Sequence, residues 1–172
     1  AFMPYASVDI GAIVPEPPRG EGRPLVVHAP SDPAIKGTRE ILAALERLRG
    51  RFEFDVEVVT GVSHEAAMAA YRRADLAIDQ IHAGWYGGFA VELMAMGKPV
   101  ASYIREADMA FVPRDMEATL PVYRIAPDTL EADLAAVLSD RAAWRERGLA
   151  SRRFVEAWHD PERIAAQLKS HY

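Results

Sequence analysis

The stretch His82–Val100, HAGWYGGFAVELMAMGKPV, decides how the rest of the chain is read. It follows a short apolar run, Asp75–Asp79 (DLAID), and opens with three glycines, 84, 87 and 88, inside five positions. An almost wholly apolar segment comes next, then Gly97-Lys98-Pro99 and a second apolar run, Val100–Ile104 (VASYI). The apolar segment Gly88–Met96 is too evenly apolar for a surface helix, so the reading is a buried helix that Gly97 ends at C′. Pro99 is tolerable as the first residue of a strand. The unit is therefore strand, glycine turn, buried helix, strand.

The same rhythm runs outward in both directions. Leu25–Ala29 (LVVHA), Phe54–Val59 (FDVEVV) and Pro121–Ala126 (PVYRIA) read as further strands. Ile41, Leu42, Leu45 and Leu48 form one helical stripe, Met68 and Tyr71 mark a second behind an N-cap at Ser63, and Leu130, Leu134, Val137 and Leu138 a third. Apolar strands alternating with helices predict an α/β fold: a doubly wound, Rossmann-like parallel sheet with helices on both faces. Ligands of such sheets bind beyond the carboxyl ends of the strands. The loops after Ala29, Thr60, Asp79, Ile104 and Ala126 are the ones to watch.

Both ends of the chain differ from this core. Residues 1–24 include VPEPPRGEGRP, whose four prolines forbid an element interior, and read as a linker entering a domain that spans 25–172. Trp144, Phe154, Val155 and Trp158 suggest terminal helices with aromatic anchors. Asp160-Pro161-Glu162 is a helix start, and this helical pair is expected to pack on the sheet edge or reach another domain.

Bulk properties narrow the function. The chain has 172 residues, a net charge of -5 and no cysteine. One domain of this size buries about 70% of its unfolded surface and needs no disulfide or metal to fold. Lack of cysteine fits a reducing, cytoplasmic compartment. The acidic balance argues against nucleic acid as partner. No apolar run reaches the roughly 18 residues of a membrane span, and no signal peptide is evident. The first βα turn, APSDPAIKG, lacks G-x-G-x-x-G, and there is no Walker P-loop, G-x-S-x-G or H-E-x-x-H.

The residues that can carry chemistry gather on two loops. Gly84, Gly87 and Gly88 stand between a strand and a helix, where free N–H groups suit a phosphate, although a tight turn alone needs glycine too. Glu92 lies one turn inside the buried helix. It either accepts hydrogen bonds from vicinal ribose hydroxyls or is satisfied by an arginine or the backbone, because a buried charge needs a partner. Lys36, read as sitting just before a helix, opposes the helix dipole; spacing alone favours a solvated lysine, and a bound anion is the sharper alternative. His64 and His82 can line a pocket but read more readily as structural. Asp79 can meet a substrate or cap its loop.

Two segments together, APSDPAIKGTREILAALERL and ADLAIDQIHAGWYGGFAVELMAMGKPV, resemble the C-terminal domain of retaining glycosyltransferases of the GT-B fold, the group 1 or family 4 type that includes bacterial glycan and glycolipid synthases. Glu92–Val100 matches the family's Glu-Ala-Met-Ala-x-Gly-x-Pro-Val almost throughout. The resemblance covers Leu25 to the C-terminus. It implies a nucleotide-diphospho-sugar donor, transfer of a hexose-type sugar and no metal. Catalytic roles fall to Lys36, on the diphosphate, and Glu92, on the ribose. Binding roles fall to Ser31, Lys36, Gly37, Val62, His64, Gly87, Gly88, Phe89 and Glu92, with 61–65 framing the base.

Two departures stand out. The family's first glutamate, which touches the transferred sugar, falls on Gly84, and its diphosphate arginine falls on Ser31. Asp79, Gln80, His82 or Arg105 is left to substitute. The resemblance further implies a missing N-terminal acceptor domain, through which alone a membrane would be met, and an isolated half that transfers nothing. The alternative is a non-catalytic nucleotide-binding or interaction module of the same fold.

Overall fold

The computed structural model describes residues 2–6 and 8–169; of the segments read above, Ala1 and Ser7 of the N-terminal stretch and Ser170–Tyr172 of the tail lie outside it. Five strands form one sheet: β1 (Leu25–His28), β2 (Asp55–Val58), β3 (Leu76–Ile78), β4 (Val100–Ser102) and β5 (Tyr123–Arg124). The order is β2-β1-β3-β4-β5 and every pairing is parallel. The chain steps from β1 out to β2, then returns to the other side of β1 with β3. That reversal opens a crevice at the carboxyl ends, where sheets of this type bind ligands.

Period-two alternation splits the sheet's side chains between two cores. Val27, Ala77 and Val100 face one, with the helices α3 (His64–Arg73), α4 (Gly88–Ala95) and α7 (Trp144–Trp158). Val26, Leu76, Ile78 and Ala101 face the other, with α2 (Thr38–Leu48), α6 (Leu130–Ser139) and Trp144. The helical stripes fall as their periodicity requires: Ile41, Leu45 and Leu48 are buried in α2, joined by Ala44. In α4 every residue from Phe89 to Ala95 except Glu92 is buried, because the helix lies between the sheet and α7. Gly97 follows its end with φ 74°, as the C′ reading requires. The remaining helices are α1 (Pro33–Lys36), α5 (Arg114–Thr119) and α8 (Pro161–Lys169).

The N-terminal segment lies on the domain. Val8, Ile10 and Ile13 are buried in the α4/α7 core. The Glu16 N–H donates to the Met96 carbonyl (2.8 Å), and Arg152 of α7 donates to the carbonyls of Ile13 (2.8 Å) and Ala95 (2.7 Å). The clearest tether is Asp75, which accepts from the Arg19 N–H (2.9 Å), the Arg19 guanidinium (2.6 Å) and the Leu25 N–H (2.9 Å). At the other end Asp160 caps α8, accepting from the Glu162 N–H at 2.9 Å. No helix among the described residues is long and apolar enough to cross a membrane.

Candidate functional site

Beyond the carboxyl ends of β1 and β2, against α3 and the front of α4, lies a cavity of about 420 Å³. Its walls come from four places. The β1 loop supplies Ser31 and Lys36, the β2 loop Val62, α3 Tyr71, and α4 Gly88, Phe89 and Glu92. Tyr5 of the N-terminal segment forms part of the rim. Lys36 and Glu92, which stand 56 positions apart in the sequence, therefore open onto one hollow.

Lys36 reaches the cavity by a different local route from the one its spacing suggested. It ends the one-turn helix α1, which Asp32 caps through the Ala34 and Ile35 N–H groups and Pro33 opens. A cation in a last helical turn sits at the favourable end of the dipole. Gly37 then turns the chain into α2 at φ 71°, and a β-carbon there would collide with Ile81, so this position excludes other residues on both counts. Nor is Lys36 solvated. Its side chain is largely buried, and the ammonium donates to Asp79 Oδ1 at 2.5 Å.

Asp79 follows β3 directly and is fully buried. Its second oxygen, Oδ2, accepts the Gly87 N–H at 2.7 Å. Gly87 is the N-cap of α4, so one carboxylate ties the Lys36 cation to the amino end of the buried helix. Of the two readings left open for Asp79, the geometry shows the cap: it holds the glycine loop, and it meets the cavity only through Lys36.

Among the described residues Glu92 is satisfied by neither arginine nor backbone. Its Oε1 pairs with His64 Nε2 at 2.8 Å, His64 being exposed at the start of α3. Beside it, the Tyr71 ring packs edge-on against Phe89 with centroids 5.0 Å apart. The Tyr71 hydroxyl is pushed up to about 12 by burial and by the carboxylates of Glu92 and Asp79. It therefore stays a protonated donor at neutral pH, and it bonds to no described residue. The Tyr5 hydroxyl lies where a side chain on Gly88 would begin, over the front of α4. A buried histidine anchors this segment: His159 Nδ1 donates to the Tyr5 carbonyl (2.7 Å), and its Nε2 accepts from the Tyr86 hydroxyl (2.8 Å).

Of the residues singled out in the sequence, Ser31, Lys36, Val62, Gly88, Phe89 and Glu92 line the cavity. Gly37, His64 and Gly87 stand behind it, as the turn under Lys36, the partner of Glu92 and the partner of Asp79. Tyr5 was missed, and a lone tyrosine before a proline-rich run carries no signal that would find it. Gln80 braces the glycine loop, donating to the Trp85 (2.6 Å) and Tyr103 (3.1 Å) carbonyls and accepting from the Ala83 N–H (2.6 Å). Gly84 has φ 78°, and a β-carbon there would come within 3.0 to 3.2 Å of Arg105 side-chain atoms. Arg105 donates its own N–H to the Gly84 carbonyl at 2.8 Å. The left-handed backbone disfavours a side chain at 84, and one there would need Arg105 to shift by a few tenths of an ångström.

A larger hollow of about 820 Å³ lies elsewhere, between α2 and the start of α6, lined by Arg39, Arg47, Arg51 and Glu131 among others. It is a groove on a helical face, and Glu131 already engages Arg47 at 2.5 Å. The smaller cavity stands at the carboxyl end of the sheet and has a largely buried cation, a helix amino end and a hydroxyl with no partner among the described residues, so it is the candidate site.

No family model matches this sequence, and no curated protein matches it either. Solved structures do match. The sucrose-phosphate synthase of Thermosynechococcus elongatus superposes with a TM-score of 0.71 at 19% identity, over 100% of this chain and 51% of that one. A structure of the GtfA/B complex superposes at 0.65 and 14% identity, over 98% of this chain and 38% of that one. The pneumococcal O-GlcNAc transferase GtfA gives 0.53 and 13% identity, over 92% and 37%. The chain spans about half the length, or less, of each of these. At these identities the likeness speaks to fold, and the fold is that of one Rossmann-like half of a GT-B glycosyltransferase.

Proposed function

We propose that this chain is the donor half of a retaining glycosyltransferase: it holds a nucleoside-diphosphate sugar of the hexose type, and a second domain brings the acceptor. The observation that carries the reading is the convergence of Lys36, the amino end of α4 and Glu92 on one cavity at the carboxyl end of the sheet. A diphosphate belongs near Lys36 and the front of α4, where charge and free N–H groups favour an anion. Ribose hydroxyls belong at Glu92, and the base between 61–65 and the Tyr71–Phe89 wall. One of the similar structures was solved with UDP and GlcNAc, which agrees with a donor of this class.

The chemistry would be breakage of the bond between the anomeric carbon and the diphosphate oxygen. The electron pair leaves with the diphosphate, the acceptor oxygen takes the carbon, and the acceptor's proton goes to the departing group or solvent. This chain's part is electrostatic: Lys36 and the α4 amides face the charge that grows on the leaving group. Isothermal titration with UDP, GDP and ADP tests the reading. One of the three binds, and the matching nucleoside without phosphates binds far more weakly. Absence of binding by all three at millimolar concentration overturns it.

Gly84 and Arg105 favour a second reading, in which the fold binds a nucleotide without transferring sugar. The carboxylate that the resemblance places against the sugar is replaced by a glycine whose left-handed backbone disfavours any side chain. Sugar transfer by the full-length protein from any nucleotide-sugar donor would exclude this alternative.

A further inference from the structure

The cation and one of the amides at the proposed diphosphate site are already engaged. Lys36 Nζ and the Gly87 N–H are held by the two oxygens of one carboxylate, Asp79, at 2.5 and 2.7 Å. Asp79 is fully buried, and its location is fixed by β3, the central strand next to the crevice. Building on the donor reading, we propose that Asp79 is a resident counter-anion with which the ligand's phosphoryl group competes. It would make Asp79 the residue that sets the affinity of the site for an anion.

Charge and valence give the reason. Lys36 and Asp79 sum to zero, and Glu92 adds a further carboxylate to the same cavity wall. Any anion entering here meets the charge of Asp79 and, on taking the Gly87 N–H, costs the buried carboxylate one of its partners. A diphosphate brings more charge, so it feels more strongly both the pull of Lys36 and the helix end and the repulsion of Asp79. An ammonium has three donors, so Lys36 can keep Asp79 while holding a phosphoryl oxygen. The Gly87 N–H has one donor, so there the ligand must replace Oδ2. The site is roomy enough for this exchange, because the cavity lies directly against Lys36 and Gly88.

The test uses Asp79→Asn, which keeps the shape and an oxygen for the Gly87 N–H but removes the charge. Inorganic pyrophosphate and the monoanion dimethyl phosphate are titrated into wild type and variant by calorimetry. Loss of the competing charge tightens pyrophosphate binding about tenfold. Dimethyl phosphate, with a single charge to be repelled, gains by a smaller factor. Unchanged or weaker pyrophosphate binding by the folded variant overturns the proposal, because a merely structural role for Asp79 predicts a loss.

If the variant does not fold, the wild type still decides. Saturating pyrophosphate must shift the Gly87 amide resonance, and saturation without that shift overturns the proposal. Failure of the donor reading shows separately. If Asp79→Asn tightens pyrophosphate but no nucleoside diphosphate binds wild type or variant, the donor reading falls and the counter-anion stands. If a nucleoside diphosphate binds wild type while Asp79→Asn brings no gain, the reverse holds.

Discussion

Strand β3 is bracketed by two buried carboxylates, Asp75 before it and Asp79 after it, and they do different things. Each pairs with a cation from a distant segment, Arg19 or Lys36, and each accepts at least one backbone N–H. Asp75 lies at the amino end of the sheet. It is closed off by the N-terminal segment, which supplies the backbone and the guanidinium of Arg19. Asp79 lies at the carboxyl end, and its cation faces a cavity. Burial and pairing therefore do not separate a staple from a site. What separates them is which end of a parallel sheet the group occupies, and whether its partner touches open space.

The largest effect should come from breaking the staple. Asp75→Ala leaves the Leu25 and Arg19 N–H groups without acceptors and should cost about 3 kcal/mol, read as a fall in urea midpoint at unchanged slope. Nucleoside diphosphate affinity of the folded protein should not move. If it falls with the stability, the two ends of β3 are coupled and the comparison fails.

The cavity end predicts the opposite pattern. Lys36→Met combined with Asp79→Asn removes both charges of a buried pair, an exchange that is often close to neutral, so stability should stay within about 1 kcal/mol of wild type. Nucleoside diphosphate binding should weaken about 10- to 100-fold, as expected when a charged hydrogen bond is lost. Calorimetry checks the binding and urea titration the stability.

Acid should separate the two ends again. His28 and His159 are both held neutral, mainly by burial, and their values lie below the usual imidazole range. His28 Nδ1 donates to the Ile78 carbonyl and its Nε2 accepts from the Thr38 hydroxyl, so the folded protein resists protonation there. The unfolded chain takes those protons at about pH 6.5. Stability should therefore fall as pH drops from about 7 toward 5. Asp75 acts later. Burial alone would raise its carboxyl, but the bonds from Arg19 and the Leu25 N–H outweigh burial and leave it below its ordinary value. Its contribution is whole above about pH 4 and is lost as pH falls through the folded value. A urea series across pH should show a first decline that Asp75→Ala retains and a second that it abolishes.

The smallest effect belongs to the arginine groove. Arg47→Ala breaks an exposed pair with Glu131 and should change stability by less than about 0.5 kcal/mol. It should leave nucleotide affinity unchanged. A substantial loss of affinity would move the site to the α2/α6 face.

Much of this was legible in the sequence. Apolar runs of four to six residues separated by helical stripes gave the parallel sheet, and the cluster at 84, 87 and 88 marked the loop before a buried helix. Local pattern also put Lys36, before a helix, and Glu92, one turn inside another, near the same end of the sheet. What it could not supply were side-chain partners across the fold. Lys36 and Asp79 are 43 positions apart, and His64 and Glu92 are 28, so no periodicity links either pair. The prolines of residues 1–24 hid the three apolar side chains that bury against α4 and α7, and with them the placement of Tyr5 at the cavity. Lys36 was misplaced locally because a one-turn helix closed by Gly37 is too short to leave a stripe.

Amide chemical-shift mapping during titration with the nucleoside diphosphate that binds tests the central claim most directly. The account predicts that shifts concentrate at Ser31, Lys36, Gly87, Gly88, Phe89 and Glu92. Saturable binding whose shifts gather instead on Arg39, Arg47 and Arg51, with the front of α4 unmoved, would contradict it.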